Sequence, residues 1–150
     1  MIWRREARLD VYKHIPGSME VDTFRYTPGK GGLKLAEALK KGCLVGEDCG
    51  GYIQIPPRGF CRDLSKPREY VELPEDTLWY VDSFTIVYED GEPKVIIFAR
   101  PEGERLTGGL IHRLKPGLPV YIGMPVKPVF KPEEERKGTV EDIVYFDEYA

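Results

Sequence analysis

The sequence is poor in the residue patterns that mark most function classes. No apolar run approaches the ~18 residues of a membrane span. The start, Met1-Ile2-Trp3-Arg4-Arg5-Glu6, lacks the apolar stretch of a secretory signal, so a cytoplasmic location is the expectation. There is no excess of basic charge: 22 Lys/Arg stand against 25 Asp/Glu, which argues against a general nucleic-acid binder. No internal repeat or low-complexity tract is present. Only two histidines occur: His14 stands just before the turn Pro16-Gly17, and His112 falls inside an expected strand. Neither has a Ser or Cys neighbour of the kind nucleophilic catalysis uses, and neither belongs to a metal-binding pair. The carboxylates are numerous but scattered over loops, with no pair that spacing sets face to face. A catalytic set is therefore not expected.

What remains is a chain of 150 residues with 41% apolar and 31% charged residues, enough for a core in one ordinary domain or two very small ones. The high charge fraction with few Met and Cys leans towards a thermophile. Thirteen prolines, sixteen glycines and nine tyrosines favour turns and strands over helices. The charge is uneven. Residues 1–41 hold nine Lys/Arg and five Asp/Glu, and residues 42–150 hold thirteen and twenty. Either this is an ordinary fluctuation of surface charge or the N-terminal segment meets something anionic.

One helix is legible. Leu33–Lys41 consists of strong helix formers, with Leu35, Ala38 and Leu39 on one face, Lys40 and Lys41 in the last turn, and Gly42 placed as the C-cap. The preceding Pro28-Gly29-Lys30-Gly31-Gly32 lacks the Lys-Ser/Thr ending of a nucleotide-binding loop and reads as a plain turn. From residue 69 the pattern is all strand: Glu69–Leu73, Trp79–Tyr88, Lys94–Arg100, Leu106–Leu114, Val120–Phe130 and Ile143–Phe146. About five or six strands joined by short turns, with no long helix, predict a closed five-stranded Greek-key barrel of the OB type over 69–131, since closure removes exposed edges. The cluster Pro132–Gly138 reads as a solvated loop. Residues 43–64 contain all three cysteines, Cys43, Cys49 and Cys61, and too few apolar residues for a core of their own. Such a stretch is normally held by metal or disulfide. The expected organisation is an N-terminal segment with the helix (1–42), a small ribbon (43–68), and a barrel with a C-terminal extension (69–150).

The run Lys41-Gly42, Gly46, Cys49-Gly50 and Ile55-Pro56-Pro57-Arg58-Gly59-Phe60-Cys61, ahead of a barrel, resembles an archaeal and bacterial family. That family joins a rubredoxin-like zinc ribbon to an OB-fold and was long catalogued as a domain of unknown function. Its ribbon reads C-x-x-C-G, four residues, then P-P-R-x-x-C-x-x-C. The likeness covers residues 24 to about 131. It implies a non-catalytic scaffold that accompanies thiolases, HMG-CoA synthases and related acyl-CoA enzymes, as at the acetoacetyl-CoA step of archaeal mevalonate synthesis, and helps contain the CoA thioester.

Two of the four ligand positions are missing here, so no cofactor is expected. The ribbon likeness sets the two knuckles face to face, which leaves Cys49 bonded to Cys61 or both as buried free thiols, with Cys43 unpaired. A disulfide would fit a hyperthermophile cytosol. Zinc on Cys49 and Cys61 with recruited ligands is the alternative.

Within this reading Arg58 is the first candidate for the CoA phosphates, because two prolines hold it in an extended loop and a guanidinium binds phosphate bidentately. The alternative is an arginine that bonds loop carbonyls. Lys30 and Lys34 are further phosphate candidates. Tyr52 and Phe60 would pack on the adenine or within the ribbon. The competing function is a single-strand nucleic-acid binder that stacks bases on Trp79, Tyr80, Phe84 and Tyr88, against which stands the acidic balance of the barrel half.

Overall fold

A glycine-rich stretch forms a helix here because a neighbouring loop packs against it. The computed structural model describes Gly17, Arg25 and residues 27–149. Helix α1 runs Gly29–Lys41, so Gly29–Gly32 form its first turn rather than the plain turn expected. The backbone of Arg58 and Gly59 lies where a Cβ on Gly31 would be, 2.8 Å from the Gly59 nitrogen. Tertiary contact thus outweighs the poor helix propensity of glycine. Gly42 adopts the left-handed conformation at the C-cap, and its N–H and that of Cys43 donate to Leu39 and Ala38.

Among the described residues nine strands form two sheets. The ribbon sheet has the order β3-β1-β2-β6, from β1 (Val45–Asp48), β2 (Ile53–Ile55), β3 (Glu69–Glu72) and β6 (Leu106–Gly108). The ribbon therefore extends past residue 68. Glu69–Glu72, grouped with the barrel in the sequence reading, pairs antiparallel with β1. The expected strand Leu106–Leu114 is divided: β6 pairs parallel with β2, and β7 (Leu110–Arg113) joins the other sheet. Gly108-Gly109 is the crossing point. A Cβ on Gly108, which has positive φ, would overlap the Ile55 carbonyl, and one on Gly109 would overlap that of Ala99.

The second sheet has the order β7-β5-β4-β8-β9, with β4 at Trp79–Glu89, β5 at Glu92–Pro101, β8 at Pro125–Phe130 and β9 at Ile143–Glu148. A parallel bridge between Leu114 and Phe146, with the Lys115 N–H donating to Phe146, brings β9 against the end of β7. Each of the five strands then has two neighbours, which is OB topology: the first strand pairs with the second and fourth, and the third meets the fifth in parallel. The closing strand lies at 143–148, beyond the 69–131 span expected for the barrel. Val120–Met124 is turn rather than strand, and Pro125 opens β8. Trp79, Val81, Ile97, Met124, Val126 and Phe146 fill the interior, with Trp79 and Phe146 edge to face at 5.8 Å. Among the described residues no helix is long and apolar enough to cross a membrane.

Residues 132–138 do more than face solvent. Arg136 donates to the carbonyls of Lys131 and Lys40, so it meets the C-terminal end of α1. Asp142, 1% exposed, accepts the N–H groups of Lys137 and Gly138. Burial alone would raise its pKa, but these bonds and that of Thr139 outweigh it and hold the carboxyl below its usual value. Gly138 in turn packs on the Ala36 carbonyl of α1.

His112 ties β7 to this segment. Its Nδ1 accepts the Arg113 N–H, so Nε2 carries the proton and donates to the Val140 carbonyl at 3.2 Å. Burial, aided by the Arg113 charge, lowers its pKa. The unfolded chain therefore takes up a proton near pH 6.5 that the fold resists until lower pH. Stability is expected to fall as pH drops from about 6.5 through the lowered value. Comparing denaturant midpoints between pH 7.5 and 5 with those of His112→Gln checks this, and an equal slope in the variant would clear His112 of the effect.

Candidate functional site

Glu47 organises the ribbon. It is a carboxylate with no exposure at all. It accepts the backbone N–H groups of Arg58 and of Gly59, the latter at 2.7 Å. The Gln54 amide donates to it at 3.0 Å and to the Phe60 carbonyl at 2.6 Å. Burial pushes the Tyr70 phenol up, and the charge of Glu47 and the hydrogen bond to it add to the effect. The Pro-Pro-Arg-Gly-Phe loop is thereby bound to β1 through its backbone, and Gly31 of α1 closes on its other side. On the opposite turn Asp48 accepts the Gly50 N–H and an Arg105 guanidinium N–H, which also reaches the Gly50 carbonyl.

Cys49 and Cys61 form a disulfide across a Cα–Cα distance of 5.9 Å. The other two positions of the family's ligand pattern hold Gly46 and Leu64. A Cβ at Gly46 would lie 2.5 Å from Ile53 Cγ2, so packing closes that position, and Leu64 is 79% exposed. Zinc does not fit this donor set. Among the described residues no three His, Cys, Asp or Glu converge as metal ligands. Cys43 is free and half-buried, its Sγ 3.4 Å from the Ala38 carbonyl. Burial, then the charge of Glu72, raises its pKa and so lowers its reactivity.

The candidate ligand residues fall into two groups. Arg58, Lys30 and Lys34 belong together: Arg58 sits on the loop that touches Gly31, and the two lysines flank Gly31 in α1. Arg58 is exposed, and among the described residues its guanidinium has neither an ion pair nor a hydrogen bond. Lys34 lies 3.8 Å from Glu37 and 6.0 Å from the centre of the Tyr70 ring. Phe60, 49% exposed, continues the same loop. Tyr52 is committed elsewhere. Its hydroxyl accepts the Arg62 N–H, and the Arg62 guanidinium lies 4.4 Å from its ring centre. His14 and the remainder of the basic N-terminal stretch lie outside the described residues. Glu47, Gly31 and Arg136 were not singled out in the sequence. The available signal for Glu47 was its position inside a knuckle that lacks its first cysteine.

Solved structures share this architecture. A protein of unknown function from the DUF35 family of Sulfolobus solfataricus has a TM-score of 0.58 and 26% identity, over 85% of this chain and 89% of its own. A chain of the Ltp2-ChsH2(DUF35) aldolase has a TM-score of 0.58 and 18% identity, over 83% of this chain and 98% of its own. No protein-family model and no curated protein matches the chain.

Two outcomes are expected. Glu47→Ala leaves two part-buried loop N–H groups and the Gln54 amide without this acceptor and should cost about 2–4 kcal/mol. Denaturant unfolding measures that cost, and faster exchange of the Arg58 and Gly59 amides locates it; unchanged exchange would mean that the loop is held by other contacts. A thiol titration of the unfolded protein should count one free thiol without reductant and three with it, and metal analysis should find no zinc. Closing a loop with a sequence separation of 12 contributes about 3 kcal/mol in the chain-entropy model, which reduction should remove.

Proposed function

We propose that this chain is a DUF35-type accessory protein, without catalytic groups of its own. It binds the CoA moiety of an acyl thioester and works beside an enzyme that handles it. The observation that carries the reading is the exposed Arg58 guanidinium, which has no ion pair or hydrogen bond among the described residues, on a loop whose backbone is bound on both sides. A structural arginine would spend its donors on loop carbonyls, and among the described residues this one bonds none. Lys30, next to the Gly31 that meets this loop, supplies further positive charge at the end of α1 where backbone N–H groups favour anions, and Lys34, 3.8 Å from Glu37, stands one turn on. Residues 27–68 hold eight Lys/Arg and four Asp/Glu, one of the four being the buried Glu47, whereas residues 69–150 hold nine and seventeen. The anionic end of CoA would therefore be drawn to the ribbon and helix. Phe60 offers a ring face for adenine, a role Tyr52 leaves to it because Arg62 covers its own ring.

The enzyme partner rests on two supports. The family likeness in the sequence implies a thiolase or HMG-CoA synthase, and one structural neighbour joins a DUF35 protein with an aldolase. All three enzyme types make or break carbon–carbon bonds next to a carbonyl, so an enzyme of that chemistry is the partner we assign. The nucleic-acid alternative loses a stacking residue, since Trp79 is 2% exposed, and the acid-rich barrel repels phosphate.

Calorimetric titration with CoA tests the reading. Arg58→Ala should weaken binding by about 1.5–3 kcal/mol, the range for a hydrogen bond to a charged group. CoA without its 3′-phosphate should separate that contact from the pyrophosphate contact. Unchanged affinity in a folded Arg58→Ala variant would remove Arg58 from the site. Retention on single-stranded DNA that depends on Arg58, with no CoA binding, would replace the reading with its competitor.

A further inference from the structure

The core-facing side of β4 continues past the point where the barrel closes. Val81 is fully buried, and after the register shift at Val81/Ser83 the strand pairs Phe84 with Ile97, Ile86 with Val95 and Tyr88 with Pro93. Cross-strand partners share a face. Ile97 is core and Val95 packs against the core, so Phe84, Ile86 and Tyr88 extend the barrel's inner face outward along the hairpin. Yet these three are 39%, 47% and 73% exposed. The other edge of β4 is open as well. β8 pairs only with Trp79 and Tyr80, and Gly123 and Met124 bond to Val81; among the described residues nothing pairs beyond that point. Ser83–Tyr88 contains no charge and no proline, the two common guards of a free edge.

A groove of about 720 Å³ separates this stripe from residues 114–120, with Val95, Leu118 and Val120 among its walls. The half-exposed cations that line it, Lys94, Arg113 and Lys115, are each ion-paired, with Glu89, Glu141 and Asp147. An apolar centre with a satisfied charged rim is the make-up of a protein interface.

Charge selects the occupant. A small anion would find the rim cations already neutralised. A second copy would bring Glu89, Asp90 and Glu92 of one hairpin tip close to the acid-rich barrel of another. We infer that Ser83–Tyr88 of β4 takes up, as an added antiparallel strand, an extended segment of a partner protein that is apolar at alternate positions and basic where it passes the hairpin tip. The inference rests on the reading that this chain works beside another protein, and it is independent of the CoA site.

The probe is a synthetic decapeptide of alternating valine and threonine with two lysines at its N-terminus, the end an antiparallel strand brings to the tip. Versions with glutamate for lysine, and with two central prolines, serve as controls. Amide exchange of the full chain and fluorescence anisotropy are read. The lysine peptide should slow exchange across Ser83–Tyr88. The glutamate peptide should bind at least tenfold more weakly, and the proline peptide not at all. Ile86→Lys should weaken binding tenfold or more with an unchanged thermal midpoint, and Tyr88→Lys provides the same test if the first variant does not fold. CoA affinity should be the same in both variants, so failure of the ribbon site and failure of this edge are read separately. Three results would overturn the inference: no protection by any peptide, equal binding of the lysine and glutamate peptides, or a dimer of the chain alone that Ile86→Lys dissociates.

Discussion

Glu47 carries a negative charge into the middle of the ribbon, and the surrounding backbone is arranged to accept it. Removing a carboxylate from water costs several kcal/mol unless its oxygens are bonded. Here Arg58 and Gly59 donate backbone N–H groups, Gln54 donates its amide, and Tyr70 faces the same group. The loop cannot move without stranding that charge, which makes the contact a constraint rather than an ornament. In a metal-bearing ribbon four thiolates would draw the two knuckles together. In this chain the Cys49–Cys61 disulfide joins the two turns at one point, and Glu47, two residues before Cys49, holds the facing loop.

The same device recurs at the far end of α1. Asp142 accepts the N–H groups of Lys137 and Gly138, Gly138 packs on Ala36, and Arg136 reaches the Lys40 carbonyl. One buried carboxylate thus fixes the loop against the first turn of the helix, and another fixes the loop against its last turns. The helix has only Gly31, Ala38 and Leu39 fully buried, so apolar burial alone anchors it weakly. Its position comes from close backbone contact at both ends.

Much of the frame was legible in the sequence. The spacing of Leu35, Ala38 and Leu39 with Gly42 behind them marked the helix, and β-branched and aromatic residues on either side of Glu89-Asp90-Gly91-Glu92 marked the β4–β5 hairpin. Of the ribbon strands, β1 and β2 were not legible, because they have only four and three residues, too few for a period to show. Nor was the division of Leu106–Leu114 between two sheets, which depends on the proximity of Ile55 and Ala99 to Gly108-Gly109 rather than on local pattern. Glu47 was hidden for a different reason. Glutamate is almost never fully buried without partners, and its partners here are mostly backbone N–H groups, which carry no sequence signature. Arg58 could be singled out because two prolines precede it; that its guanidinium has no partner among the described residues could not be foreseen.

The proposed accessory role requires the ribbon loop and the barrel edge to keep a fixed relation, since misplacement by an ångström can cost a reaction about 100-fold. Three connections do that in this chain. The crossing at Gly108-Gly109 makes one segment contribute to both sheets, Arg105 bonds the Asp48 turn just before that crossing, and α1 touches the ribbon at Gly31 and the barrel loop at Ala36 and Lys40. Arg58 is thereby referred to the barrel by covalent chain on one route and by helix on another. A partner seated on β4 would meet the ribbon loop in one pose, and the hairpin beyond Val81, where no second strand neighbour stands among the described residues, is where adjustment to that partner would be taken up.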